Sequence, residues 1–356
     1  MCPPRFLLRR LIRKLPDGKY FIRRGALGPG HQPQRYFPLS GFRRVFAMPF
    51  ITRVTVFVQR YRSGLLLAGC GGLFSAHLLY HVFPEQTYKK VYQAWHKGQP
   101  ASLSGKLVDM FQGVLRDMNI SSPQRYKAFA AYGFHPIGAG VPWLPSGALV
   151  GLPANFNSSP DDMAGITNRV VLINGEPVQW DSAVGKALKE ALILSPEAQR
   201  FGVAREVARL ENGCPILQAV VAPTCLAGAC AYGVGIKQIF GLYAGSALLR
   251  GAVTLLALAL GAVSYILASD AVSQWQEYSS DRRAASLSGD YARGGVEFYD
   301  KLLSRNRVLR LLMGPKGEEM YAPSGNLFPA SLLRLKHAPY TARREGIASL
   351  LKEMET

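Results

Sequence analysis

Three long apolar stretches without a charged residue constrain this chain more than any other feature. The first is GLLLAGCGGLFSAHLLYHVF at 64–83, the second lies at 214–236, and the third is GAVTLLALALGAVSYILAS at 251–269. Twenty helical residues extend about 30 Å, the thickness of the hydrocarbon core of a bilayer. The sequence therefore predicts an α-helical multi-pass membrane protein with three spans in the lipid bilayer. The second stretch contains Pro215 and Pro223 and is only moderately hydrophobic, so a buried helix of a soluble domain is its alternative.

The chain outside the spans divides into segments of different pattern. Residues 84–213 mix helical and strand patterns and predict a small α+β domain between the first two spans, whereas 270–356 predict a helical C-terminal segment. The sequence RVVLINGEPVQW predicts a β-hairpin that turns at Asn174 and Gly175. Residues 133–165 are rich in Gly, Pro and Ser, which favours an extended loop.

Helix boundaries are also marked locally. In LSPEAQRFGVAREV, Ser195 is a typical N-cap and Pro196 suits the first helical position. The stretch VEFYDKLLSRNRVLRLLM carries an apolar stripe at helical spacing and precedes Gly314 and Pro315, which end helices. The two observations predict one helix in the segment 84–213 and one in the segment 270–356, both outside the spans.

The positive charge is concentrated at the start of the chain. The formal net charge is +19, yet residues 1–63 alone carry fourteen Lys or Arg and one acidic residue. Residues 84–213 and 270–356 each carry thirteen basic and eleven acidic residues. A folded nucleic-acid-binding face needs its basic residues clustered on one domain. We therefore expect no nucleic-acid partner.

Residues 1–47 have the composition of a targeting segment. They are rich in Arg and nearly free of acid, and RFLLRRLIRKL can form a basic amphipathic helix through Leu11 and Ile12. This pattern is typical of a mitochondrial presequence. A basic tail, or an extension absent from the mature protein, is the alternative.

Basic residues next to the spans predict their orientation. Arg60 and Arg62 precede the first span, and Lys237 and Arg250 are the only charges of the short loop at 237–250. Loops rich in Lys and Arg stay on the cytoplasm-like side, which is the matrix in a mitochondrion. The N-terminal segment and this loop are therefore predicted in the matrix, and the two longer segments in the intermembrane space.

Small residues recur at a spacing of four within the spans. Without a hydrophobic drive between helices in lipid, small residues allow the close approach that holds spans together. The common occurrence of Gly and Ala in spans is the alternative explanation. The residues predicted to form packing or partner faces are Gly64, Ala68, Gly72 and Ala76 in the first span, Ala229 and Gly233 in the second, and Ala257 and Gly261 in the third.

Motifs of metalloproteases, nucleotide-binding loops, serine hydrolases and EF-hands are absent from the sequence. Cys70, His77 and His81 fall on one side of the first helix, but Cys70 and His81 are about 16 Å apart along the axis. His77 and His81 alone, one turn apart, are a weak candidate pair for a metal that would need ligands from elsewhere. We expect no catalytic residue and no cofactor. A metal-handling membrane protein using these histidines, or a membrane enzyme of unknown chemistry, is the alternative.

Several long blocks resemble the transmembrane protein 177 family. They include FVQRYRSGLL, LYHVFP, LSPEAQRFGVAREV, APTCLAGACAYGVG, DRRAASLSGDYARGGVEFYDKLL and YAPSGNLFP, and the resemblance extends from about Met48 to the C-terminus. Family members begin at a methionine that matches Met48, so residues 1–47 form an extension relative to the family.

The resemblance implies a multi-pass protein of the mitochondrial inner membrane without enzyme activity. It implies a part in early maturation of cytochrome c oxidase subunit 2, together with the dedicated chaperone of that subunit, cytochrome c oxidase assembly protein 20, and near the copper metallochaperones. The expected function is stabilisation of the chaperone and of the newly made subunit.

Overall fold

The structure is a computed structural model that describes residues 12–14, 20–22, 50–159, 161–167, 170–329 and 334–356. The chain divides into two compact units, Met1–Tyr61 and Arg62–Thr356. In the first unit, strands β1 (Ile12–Lys14) and β2 (Tyr20–Ile22) pair antiparallel. The predicted basic helix is therefore wrong at Ile12, which pairs with Ile22 in this antiparallel ladder. The remainder of 1–47 lies outside the described residues.

The helices and strands of the rest of the chain are defined as follows. The helices are α1 (Phe50–Val82), α2 (Tyr88–Tyr92), α3 (Gly105–Asp117), α4 (Ala164–Thr167), α5 (Ala183–Leu192), α6 (Pro196–Glu211), α7 (Cys214–Ile239), α8 (Ala247–Ala285), α9 (Gly289–Met313), α10 (Pro315–Met320) and α11 (Tyr340–Glu355). The strands are β3 (Trp95–His96), β4 (Gln99–Pro100), β5 (Tyr126–Ala131), β6 (Ile137–Gly140), β7 (Ala148–Pro153), β8 (Leu172–Ile173) and β9 (Glu176–Pro177).

Within the described residues, three helices are long and apolar enough to cross a membrane, which confirms the predicted fold class. They are Arg60–Val82 within α1, the whole of α7, and α8. Most of their apolar surface points away from the rest of the chain, as lipid-facing helices require. Helix α8 has 39 residues, or about 58 Å. It is longer than a bilayer core is thick, and its second half therefore continues into the folded part.

A three-stranded sheet lies in the part of the chain predicted as an α+β domain. The strand order is β5–β7–β6, with β5 parallel and β6 antiparallel to β7. The predicted loop at 133–165 is wrong, because it contains β6 and β7. All six residues of β7 are buried, and a strand covered on both faces shows no alternation of polar and apolar residues. Gly151 also has a packing role, since a Cβ there would lie 2.6 Å from the Ala131 Cβ.

The parts of the chain before α7 and after α8 share one hydrophobic core. Phe201 of α6 packs against Phe298 and Tyr299 of α9, with ring centroids 5.8 and 6.2 Å apart. Buried side chains of α3, β7, α8 and α11 complete the same cluster, among them Leu107, Val150, Ala284 and Ile347. The two segments that the sequence separates are therefore one folded part.

The local sequence signals agree with the structure. Asn174 and Gly175 have positive φ values of 54° and 84°, and they join β8 to β9 as an antiparallel hairpin. The Ser195 hydroxyl accepts a hydrogen bond from the Ala198 N–H at 3.1 Å, with Pro196 in the first turn of α6. Helix α9 ends before Gly314, whose φ is 57°. The hairpin, the cap and the helix end are thus confirmed.

Candidate functional site

The shared core determines how the spans are connected. Because segments on both sides of the α7–α8 pair fold together, α7 leaves the folded part and α8 returns to it. The connection between them lies at the opposite end of the spans. Lys237 Nζ contacts Thr254 Oγ1 at 2.6 Å there, and Arg250 Nη1 donates to the Tyr243 and Gly245 carbonyl oxygens at 2.9 and 2.8 Å. The Lys237 and Arg250 side chains therefore also stabilise the conformation of the loop between α7 and α8.

The other two residues predicted to orient the first span are on the surface. Arg62 is exposed. Arg60 is exposed as well, and its guanidinium carbon lies 5.7 Å from the ring centroid of Tyr61. The backbone of α1 is non-helical at Tyr61, with φ −109° and ψ 17°. The side of the membrane on which these residues lie stays a prediction.

Four of the predicted small residues form the contact between the second and third spans. A Cβ at Gly261 would lie 2.5 Å from the Ala229 Cβ, and a Cβ at Gly233 would lie 3.1 Å from the Ala257 Cβ. Ala229, Gly233 and Ala257 are buried. The missing side chains of the two glycines therefore permit the close approach of α7 and α8.

The small series of the first span faces away from the other spans. Gly64, Ala68, Gly72 and Ala76 are all exposed, and a Cβ at Gly64 or Gly72 would meet no atom within 4 Å. Helix α1 packs against α7 through a different face. A Cβ at Gly69 would lie 3.5 Å from Leu226 Cδ2, and the Cys70 thiol donates to the Pro223 carbonyl oxygen at 3.5 Å.

Cys70, His77 and His81 do not meet at one point. The Nδ1 atom of His81 accepts a hydrogen bond from the Gly140 N–H at 3.3 Å, which joins the end of the first span to β6. His77 is exposed, and the Cys70 thiol bonds to α7. Within the described residues, no three His, Cys, Asp or Glu side chains are close enough to share a metal ion.

A buried ionic cluster next to the spans was not identified from the sequence. Arg343 of α11 has an exposed fraction of 2%. Its Nε lies 2.6 Å from Asp281 Oδ2 and its Nη1 lies 3.3 Å from Glu277 Oε2. Both acidic residues belong to α8, one turn apart. On α6, Arg205 pairs with Asp281 at 3.0 Å.

The same cluster continues along α6 toward the sheet. Arg205 and Arg209 each pair with Glu206, at 3.1 and 3.0 Å, and Arg209 also donates to the Gly138 carbonyl oxygen. These groups surround a cleft of about 260 Å³. Each carboxylate of the cluster, on Glu206, Glu277 and Asp281, has an arginine partner. The ion pairs therefore connect α6, α8 and α11.

Electrostatics keep the Glu206 and Glu277 carboxylates of this cluster ionised. Burial opposes the charge on Glu206, but Arg209 and Arg205 outweigh burial and hold its pKa below the usual 4.5. Burial likewise opposes ionisation of Glu277, whose pKa is nevertheless lowered by His337 and Arg343. The signal in the sequence was the pair of acids at i and i+4 beyond the third span, a pattern that surface helices also show.

The sequence of this chain can be compared with those of known proteins. The family model described as Transmembrane protein 177 matches residues 161–333. The chain is 65% identical to Transmembrane protein 177 of Danio rerio over 84% of this chain and 97% of that protein. It is 52% identical to the protein of that name from Xenopus laevis, over 86% and 99% of the two chains. For the Homo sapiens protein of that name the identity is 47%, over 85% and 96%.

No solved structure matches the chain. The relatives match most of its length at high identity, and the family model covers the end of the sheet-containing segment, two spans and α9. The chain therefore belongs to the transmembrane protein 177 family.

Proposed function

We propose that this protein is a non-enzymatic assembly factor of the mitochondrial inner membrane. It stabilises newly made cytochrome c oxidase subunit 2 and its chaperone, cytochrome c oxidase assembly protein 20, during early oxidase biogenesis, in the neighbourhood of the copper metallochaperones. The folded part lies in the intermembrane space and the loop between α7 and α8 in the matrix. Support comes from the Arg-rich N-terminal segment and from the family resemblance.

One structural observation carries the proposal. The small face of the first span, Gly64, Ala68, Gly72 and Ala76, is exposed along its whole length, whereas the small residues of the other two spans contact each other. A face of this kind allows another span to approach the backbone closely. The partner span of the chaperone or of the newly made subunit is the occupant that we propose.

Bulky side chains on this face test the proposal. We expect Gly72→Leu with Ala76→Leu to lower the amounts of the chaperone and of subunit 2 that co-purify with the protein from detergent-solubilised mitochondria, about tenfold or more. The physical reason is that the added side chains hold the partner backbone away. A Cβ at Gly72 meets no atom of the described residues within 4 Å, so the variant should accumulate normally.

Gly71→Leu is the matched control. Gly71 precedes Gly72 in the same helix and is also exposed, with no atom within 4 Å of an added Cβ, but it lies about 100° away around the axis. Equal recovery of the chaperone with Gly71→Leu and with the double variant would rule out this face.

A further inference from the structure

The outer edge of the sheet is only partly covered. Strand β5 is an edge strand, and the segment after α2 covers its C-terminal end: the Ala94 N–H donates to the Ala130 carbonyl oxygen at 2.9 Å, and the Tyr132 N–H donates to the Tyr92 carbonyl oxygen at 2.8 Å. Gln93 Nε2 donates to the same Ala130 oxygen at 3.2 Å. The chain then turns away, because Trp95 and His96 pair with β4 instead.

This turn leaves the middle of β5 without a neighbour on its outer side. Backbone groups of successive residues in a strand point to alternate edges. Since the backbone of Ala130 faces outward, that of Ala128 does so too. Within the described residues, no hydrogen bond outside the ladder with β7 involves the N–H or C=O of Ala128. Such an edge is a template for a further strand.

The exposed edge forms the floor of an open groove. The groove has a volume of about 620 Å³ and is lined by α2, by the hairpin of β3 and β4, and by α3. Trp95 and Val108 stand in its walls with exposed fractions of 63% and 40%. These two side chains offer apolar contacts for alternate residues of an extended chain.

The charges around the groove select its ligand. Lys89 and Lys90 line it, and the ion pairs of the described residues give neither lysine a carboxylate partner. The only acid of the lining, Glu85, pairs with Lys127 at 2.7 Å. Glu85 follows the last residue of α1 by three positions, so the groove opens where the first span leaves the membrane.

We propose that this groove, called the β5 groove, binds an extended acidic segment of a partner protein by adding it as a strand to β5. Backbone hydrogen bonds to Ala128 supply the affinity, Trp95 and Val108 take apolar side chains, and Lys89 and Lys90 pair with carboxylates. The identity of the partner rests on the proposed function, in which the newly made subunit is held beside the membrane. The acidic, extended character of the segment rests on the groove alone.

Binding can be measured by fluorescence anisotropy with the full chain in detergent micelles. The probe is a short fluorescein-labelled peptide of alternating valine and threonine that carries glutamates at its ends. Comparison peptides carry lysines in place of the glutamates, or a central proline that prevents strand pairing. We expect the acidic peptide to bind about tenfold more tightly than either comparison peptide.

Variants separate backbone pairing from charge. Ala128→Pro removes the outward N–H and leaves the β7 ladder intact, because edge positions that face outward tolerate proline. We expect it to weaken binding of the acidic peptide about tenfold without lowering the melting temperature. Trp95→Ala, which leaves the backbone unchanged, should also weaken binding. Lys89→Glu with Lys90→Glu should favour the lysine peptide, whereas Lys186→Glu with Lys189→Glu on α5 should not.

The outcomes distinguish this proposal from the proposed function. Absence of peptide binding, or binding as tight as that of the native protein by both a normally folded Ala128→Pro variant and Trp95→Ala, would overturn the β5 groove as a peptide site. Binding of vesicles of phosphatidylcholine and cardiolipin that is lost with Lys89→Glu and Lys90→Glu, without binding of the acidic peptide, would instead assign the surface to lipid and overturn it too. Co-purification of subunit 2 and its chaperone would still report on the assembly function, because that measurement depends on the small face of the first span.

Discussion

At the residue scale, the same small residue types have two different environments in the spans. Gly261 and Gly233 lie where α7 and α8 approach each other, and Gly72 lies on a surface that no described part of the chain covers. The spacing of four was the same in each span, and the sequence therefore predicted small faces without showing which were internal. The contacts between helices supply that distinction.

Gly261→Leu should destabilise the protein by about 1–3 kcal/mol, because overpacking forces helices apart. The reason is that even a Cβ at this position would lie 2.5 Å from the Ala229 Cβ. The measurement is the melting temperature in detergent. Gly251→Leu in the same helix is the control, since an added Cβ there meets no atom within 4 Å; similar losses in both variants would contradict the expectation.

Two adjacent arginines of α11, Arg343 and Arg344, should contribute very different amounts to the stability of the protein. Arg343→Met should cost about 3 kcal/mol or more, because it removes a partner of the buried Asp281 carboxylate and of the partly buried Glu277 carboxylate. Arg344→Met breaks only a solvent-exposed pair with Asp300, which is worth about 0–1 kcal/mol. Thermal unfolding of both variants checks the difference, and equal melting temperatures would show that burial does not set the value of these pairs.

At the element scale, α8 connects the membrane to the folded part. Its first half is an apolar span and its second half carries Glu277 and Asp281 to the arginines of α6 and α11. The apolar stretch at 251–269 predicted the span, but the helix continues to Ala285. The sequence could not show that the acids after the span are buried, since that depends on α11, about sixty residues later.

Stability should fall in acid because of these carboxylates. The pKa values of Glu206 and Glu277 are lower in the folded protein than the usual 4.5. The folded state therefore binds fewer protons, and its stabilisation is complete above pH 4.5 and disappears as the pH falls through the lowered values. We expect the melting temperature of the native protein to drop below that pH. Glu206→Gln should be less stable at neutral pH and should lose less in acid.

The control for this effect is Glu319→Gln. Glu319 is exposed, and its removal should leave both the neutral melting temperature and the loss in acid as they are in the native protein. If Glu206→Gln shows the same loss in acid as the native protein, the cluster on α6 does not govern the pH dependence.

At the scale of the whole molecule, the shared core predicts the sidedness of the chain. Residues 84–213 and 270–356 pack together, so we expect them to lie on one side of the membrane and the loop between α7 and α8 to lie on the other. If the protein lies in the mitochondrial inner membrane, as we propose, an epitope inserted between Asn174 and Gly175 and one placed after Thr356 should become accessible to protease together in mitoplasts. An epitope at Gly241 should stay protected; opposite behaviour of the first two would contradict the shared core.

Features that depend on neighbouring residues could be predicted from the sequence alone. Three apolar stretches predicted three spans, Asn174 and Gly175 predicted a tight turn, and Ser195 predicted a helix start, since each signal arises within a few residues. The three-dimensional contacts were needed to show that β7 is a buried strand, that Arg343 pairs with acidic residues of α8, and which small faces are internal. Those properties depend on burial and on contacts between distant parts of the chain, for which local pattern carries no information.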